Sequence, residues 1–75
     1  MRDLVEFLTE SLVEDPDAVQ VEEVPSGRVT VYEVTVAEDD VGKIIGRQGK
    51  VIRSIRSVVK AAATRAGTRV DVDVV

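Results

Sequence analysis

The 75-residue sequence predicts an α+β fold of two layers with the element order α-β-β-α-α-β, and three observations carry that prediction. Apolar residues recur at three-to-four spacing near the N-terminus and again over a long stretch after residue 50. Two β-branched runs separated by a proline-glycine turn lie between those stretches. A short run of strictly alternating valine and aspartate closes the pattern.

The first helix is predicted from Leu4, Val5, Leu8, Leu12 and Val13, with Phe7 beside them. Asp3 and Glu6 have the spacing of a capping box, and Asp15-Pro16 should end the helix. Val19 and Val21 alternate with Gln20 and Glu22 as a first strand, and Pro25-Ser26-Gly27 supplies turn chemistry before a second strand from Arg28 to Val36. That run changes phase, with Val29 and Val31 on one face and Tyr32, Val34 and Val36 on the other. Either both faces are partly covered or a bulge intervenes.

Asp39 or Asp40 is placed to cap a short helix from Val41 to Ile45. A longer helix from Lys50 to Ala66 gathers Val51, Ile52, Ile55, Val58, Val59, Ala62, Ala63 and Ala66 within an arc of about 140°. Arg53, Arg56 and Lys60 cluster opposite, and Gly67 is the expected C-terminal cap. Val70, Val72 and Val74 then form the last strand. Two helices join the second strand to the last, so these should run parallel, with the first strand antiparallel on the outer side of the second. The expected sheet is three-stranded and mixed, with all helices on one face.

This length makes one small domain, residues 1–75. With no cysteine and no histidine there is neither a disulfide framework nor a histidine metal site, so stability must come from packing or association. No apolar run approaches the roughly 20 residues of a membrane span, and Met1-Arg2-Asp3 leads into a charged helix rather than a signal peptide. A soluble, cytoplasmic protein is the expectation.

Charge is partitioned along the chain. Residues 1–40 hold twelve acids and two arginines, whereas residues 41–69 hold eight lysines and arginines and no acid. A net charge of −4 therefore conceals a basic block, and the local field decides what that block attracts. Its centre is the turn Gly46-Arg47-Gln48-Gly49, followed by Lys50. Glycines let a ligand approach the main chain, the start of the next helix offers N–H donors and a favourable dipole, and Arg47 and Lys50 add positive charge. A solvated basic helix face balanced by an acidic remainder is the competing reading.

Other chemistries fit poorly. The P-loop spacing is absent, since Val51 follows Lys50 where serine or threonine is required. Gly42 and Gly46 spell G-x-x-x-G without the apolar span a membrane dimer needs. Asp39 and Asp40 could be a metal pair, but capping explains them more simply. No serine or threonine has an activating base at recognisable spacing, which argues against an enzyme. A protein-interaction module, in which the basic helix meets an acidic partner, is the third class.

Val41-Gly42-Lys43-Ile44-Ile45-Gly46-Arg47-Gln48-Gly49-Lys50-Val51-Ile52 resembles the I-G-x-x-G-x-x-I signature of the KH (K-homology) RNA-binding domain, and the element order resembles its prokaryotic type II form. The resemblance covers essentially the whole chain and is closest to the small stand-alone bacterial members. It implies that Gly46, Arg47, Gln48 and Gly49 hold the backbone of about four single-stranded nucleotides. Arg47 and Lys50 would meet phosphates, while Lys43, Arg53 and Arg56 extend the field. Ile45, Ile52 and residues of the second strand would line a groove for bases, although helix periodicity alone places Ile45 and Ile52 in the core. No cofactor is implied. Self-association, or pairing with a larger KH-containing protein, is implied, as is an RNA-chaperone or post-transcriptional role linked to cell-wall homeostasis and cell shape.

Nothing in these residues separates RNA from single-stranded DNA. Phe7 and Tyr32, the only aromatics, lie outside the basic block, so aromatic stacking is a poor source of affinity. Val58, at the margin of the apolar arc beside the small Ser54 and Ala61, is a candidate dimer contact; the alternative is that it packs under the first helix.

Overall fold

The computed structural model describes residues 1–75. Helix α1 spans Arg2–Glu10, strands β1 and β2 span Gln20–Ser26 and Val29–Thr35, helices α2 and α3 span Val41–Ile45 and Lys50–Ala66, and β3 spans Val70–Val74. Strand order is β1-β2-β3, with β1 antiparallel and β3 parallel to β2. The expected α+β architecture and sheet are therefore present.

The β1–β2 register runs without interruption from Gln20↔Thr35 to Ser26↔Val29, so no bulge accounts for the change of phase in β2. Tyr32 and Val34 face the helices, followed by Val36 beyond the strand end, and all three are buried. Val29 and Val31 lie on the outer face and are half-buried. The hairpin is tighter than Pro25-Ser26-Gly27 suggested: β1 continues through Pro25 and Ser26, leaving Gly27 and Arg28 as the turn. Proline is tolerated there because β1 is an edge strand.

The core sits between the inner face of the sheet and the three helices. Val5 of α1, Ile44 of α2, and Ile52, Ile55, Val59 and Ala63 of α3 pack with Tyr32, Val34, Val36, Val70 and Val72. Thr9 is buried as well, and its hydroxyl donates to the Val5 carbonyl at 2.8 Å. Helix α3 ends as expected at Gly67, where the Thr68 N–H reaches back to the Ala63 carbonyl.

Two expectations for α1 fail. The helix begins at Arg2 with no side-chain cap, so Asp3 lies inside the first turn and forms no capping box. It also stops at Glu10, well before Asp15-Pro16. The Ser11 N–H and hydroxyl both donate to the Phe7 carbonyl, at 3.0 and 2.6 Å, and the Leu12 N–H turns back to Thr9. Phe7 and Leu12 are left 65% and 44% exposed rather than packed.

Asp40 stands at the N-terminal boundary of α2 but does not cap it. Its carboxylate instead accepts the Glu14 and Asp15 N–H groups, each at 3.1 Å, latching the segment after α1 onto the start of α2. The residue is 2% exposed. These backbone bonds, the Glu14 one first, outweigh desolvation and with Lys43 hold the carboxyl below its ordinary value of 3.8. A depressed folded-state value stabilises the fold above the unfolded-state value, and that contribution is lost as pH falls through the folded one. Asp40→Asn should therefore lower the urea midpoint near neutral pH, and the gap from wild type should close in acid. A gap that persists in acid would show that shape rather than charge makes the latch.

Candidate nucleic-acid interface

Between α2 and α3 the backbone turns within the four residues Gly46 to Gly49. Gly46 takes φ 74° and ψ 172°, a region that residues with a Cβ avoid. A Cβ there would also strike the Val51 side chain and lie 2.8 Å from the Val51 backbone nitrogen. Only glycine lets α2 run this close to the start of α3. Gln48 and Gly49 follow at φ 57° and 72°, so three of the four residues are left-handed in φ.

Two of the N–H donors expected to be free where α3 begins are spent internally. The Gly49 N–H donates to the Gly46 carbonyl at 3.1 Å, and the Lys50 N–H donates to the Arg47 carbonyl. What this corner presents to a ligand is thus chiefly side-chain charge, backed by the N-terminal end of the α3 dipole.

The structure divides the basic block into tethered and free cations. Lys43 lies 2.6 Å from Glu14 and 3.6 Å from Asp40, and its ammonium is held above its ordinary value chiefly by the Glu14 hydrogen bond. Arg56 is tethered as well. Its Nε donates to the Val72 carbonyl at 2.7 Å and lies 3.5 Å from Asp71. Lys60 lies 3.8 Å from Asp71. Arg47, Lys50 and Arg53, by contrast, are exposed with no carboxylate within ion-pair distance, and they follow one another along the turn and the first turn of α3.

Of the two isoleucines, Ile45 is 39% exposed at the end of α2, against the periodicity argument that placed it in the core. Ile52 is 7% exposed and belongs to the core. Tyr32 is buried and Phe7 sits on α1, so no aromatic ring stands at the turn. No sequence signal marks Glu14 as the residue that pairs with Lys43, because the two are 29 positions apart and nothing local links them.

A family model described as KhpA/KhpB, KH domain matches residues 2–74. The chain belongs to this family. The protein called RNA-binding protein KhpA in Clostridium acetobutylicum is 44% identical to it over 75 residues, all of both chains. Its namesake in Caldanaerobacter subterraneus subsp. tengcongensis is 41% identical over the same full lengths. The one in Chlamydia caviae is 35% identical, over 99% of this chain and 95% of its own. Among solved structures, Aquifex aeolicus Era bound to GDP and aluminium fluoride superposes with a TM-score of 0.68 at 21% identity. Era in complex with a nucleotide analogue and part of 16S ribosomal RNA superposes at 0.66. Each match covers 97% of this chain but only 28% of the Era chain, and the likeness establishes the KH-like α+β fold.

Proposed function

We propose that this protein binds single-stranded RNA by its phosphate backbone, at the turn Gly46-Arg47-Gln48-Gly49, and acts by binding rather than by catalysis. The observation that carries the reading is the placement of charge: of the five unpaired cations in the basic block, Arg47, Lys50 and Arg53 gather at a turn whose first glycine has no room for a Cβ, while Arg65 and Arg69 lie at the far end of α3. Family membership supports it, since the curated relatives are named RNA-binding proteins. Lys43 and Arg56 fall outside the phosphate-contacting set because acids already hold them. Exposed Ile45 gives bases an aliphatic surface, which favours low base selectivity.

Phosphate contacts release counterions, with a slope of about −0.7 per contact on a single strand. Three contacts predict a log-log slope of affinity against salt of about −2. Fluorescence titration of a labelled single strand over a salt series reads it, and a flat dependence would remove the basic turn as the binding surface. Single-stranded DNA of matching sequence, run in parallel, tells whether the 2′-hydroxyl matters. Crosslinking to RNA in cells would identify targets and test the chaperone or regulatory role in cell-wall homeostasis and cell shape, which rests on the family resemblance alone.

The protein also pairs, in this proposal, with a second KH domain, either its own copy or that of a larger KH-containing protein such as KhpB. A groove between α1 and α3, lined by Leu8, Leu12, Val51, Ile55 and Val58, supports this. Val58 is 49% exposed, so it does not pack under α1. Val58→Glu should give a folded monomer by sedimentation. A wild type that is monomeric at high concentration, alone and mixed with the larger protein, would end this part of the proposal.

A further inference from the structure

The two edges of the sheet are treated differently. Along β3 three of the outward-facing groups, in the middle of the strand, are occupied: the Val72 N–H donates to Asp71 Oδ1 at 2.8 Å, the Val74 N–H donates to Asp73 Oδ1 at 3.0 Å, and the Val72 carbonyl accepts from Arg56 Nε. Side chains thus obstruct strand pairing at the middle of that edge.

Along β1 nothing comparable is found. The Thr30 N–H donates to Arg69, and the Val34 carbonyl accepts from Val75, so the even-numbered residues of β2 from Thr30 to Val34 point their backbone groups toward β3. Val29, Val31, Glu33 and Thr35 must then pair with β1, through Ser26, Val24, Glu22 and Gln20. That alternation leaves Val21, Glu23 and Pro25 facing the free edge. Val21 and Glu23 each present an N–H and a C=O there, and no side chain hydrogen-bonds to either. Pro25, which has no N–H, limits the open stretch to a few residues.

The side chains along this stretch read Val21-Glu22-Glu23-Val24, the same in both directions. Glu23 meets only Arg2, at 3.7 Å with both side chains half exposed, and Glu22 meets no cation. We propose that the β1 edge takes up an extended peptide segment with two adjacent basic residues flanked by apolar ones. A strand added about 4.8 Å away sets its basic pair against Glu22 and Glu23 and its apolar residues against Val21 and Val24, whether it runs parallel or antiparallel. A second copy of β1 is a poor occupant, because antiparallel pairing through Val21 and Glu23 brings Glu22 against its own counterpart.

The test uses an acetylated, amidated hexapeptide, Lys-Val-Lys-Lys-Val-Lys, and its acidic counterpart, Glu-Val-Glu-Glu-Val-Glu, with the full chain. The basic peptide should slow hydrogen exchange at the Val21 and Glu23 amides, and the acidic one should not. Glu23→Pro deletes an edge donor without touching the β1–β2 ladder, so it should abolish peptide binding in a folded protein. Glu22→Gln with Glu23→Gln keeps every backbone group and should weaken binding about fivefold, which decides the matter if the proline variant fails to fold. Unchanged exchange at Val21 and Glu23, equal binding of the acidic peptide, or full affinity in a folded Glu23→Pro protein would each overturn the proposal.

Discussion

Gly46→Ala should destabilise the protein by about 2–4 kcal/mol, combining a backbone conformation closed to residues with a Cβ and an overpacked contact. The added methyl collides with the Val51 side chain and lies 2.8 Å from the Val51 nitrogen. Because backbone belongs to the obstacle, a rotamer change cannot relieve it. Gly49→Ala provides the comparison. Gly49 also has positive φ, but a methyl there meets only Ile52 Cγ2, at 4.0 Å, so the cost should be near the ~1–2 kcal/mol of the left-handed conformation alone. Chemical denaturation of both variants checks the ordering. Equal losses would show that φ rather than the α2–α3 contact makes Gly46 necessary.

Replacing Arg47 and Gln48 together by aspartate should weaken single-stranded RNA binding on the order of thirtyfold or more, with stability changed by about 0.5 kcal/mol at most. Both side chains are exposed and neither makes a hydrogen bond or ion pair. Position 48 already has φ 57°, a conformation aspartate tolerates better than most residues. The variant exchanges one positive charge for two negative ones beside Lys50 and Arg53. Circular dichroism with a binding titration separates the outcomes: a folded variant of unchanged affinity would leave the interaction-module reading standing.

The element order, the sheet order and the position of the glycine turn were legible because each rests on a short-range signal. Helical and strand periods differ, Gly67 ends α3 where the apolar pattern stops, and β1 and β2 are joined by a turn too short for anything but a hairpin. Contacts between distant residues were not legible. Asp40 looked like a local cap because its partners, Glu14 and Asp15, lie 26 and 25 positions away. That same closure brings Glu14 to within 2.6 Å of Lys43, a cation that looks free from its own helix. Arg56 is on the open face of its own helix, and only β3 running beside it supplies the carbonyl that tethers it. Periodicity also misplaced Ile45, since a five-residue helix is too short for spacing to tell its buried side from its open one.

The central claim is that the basic turn, and no other surface, meets RNA. Titrating isotope-labelled protein with a short unstructured RNA strand while following every backbone amide tests it most directly. Chemical-shift changes should concentrate from Ile45 to Arg53 and be lost in the Arg47→Asp, Gln48→Asp protein. Changes centred instead on the α1–α3 groove or on the β1 edge, or surviving unaltered in that variant, would contradict it.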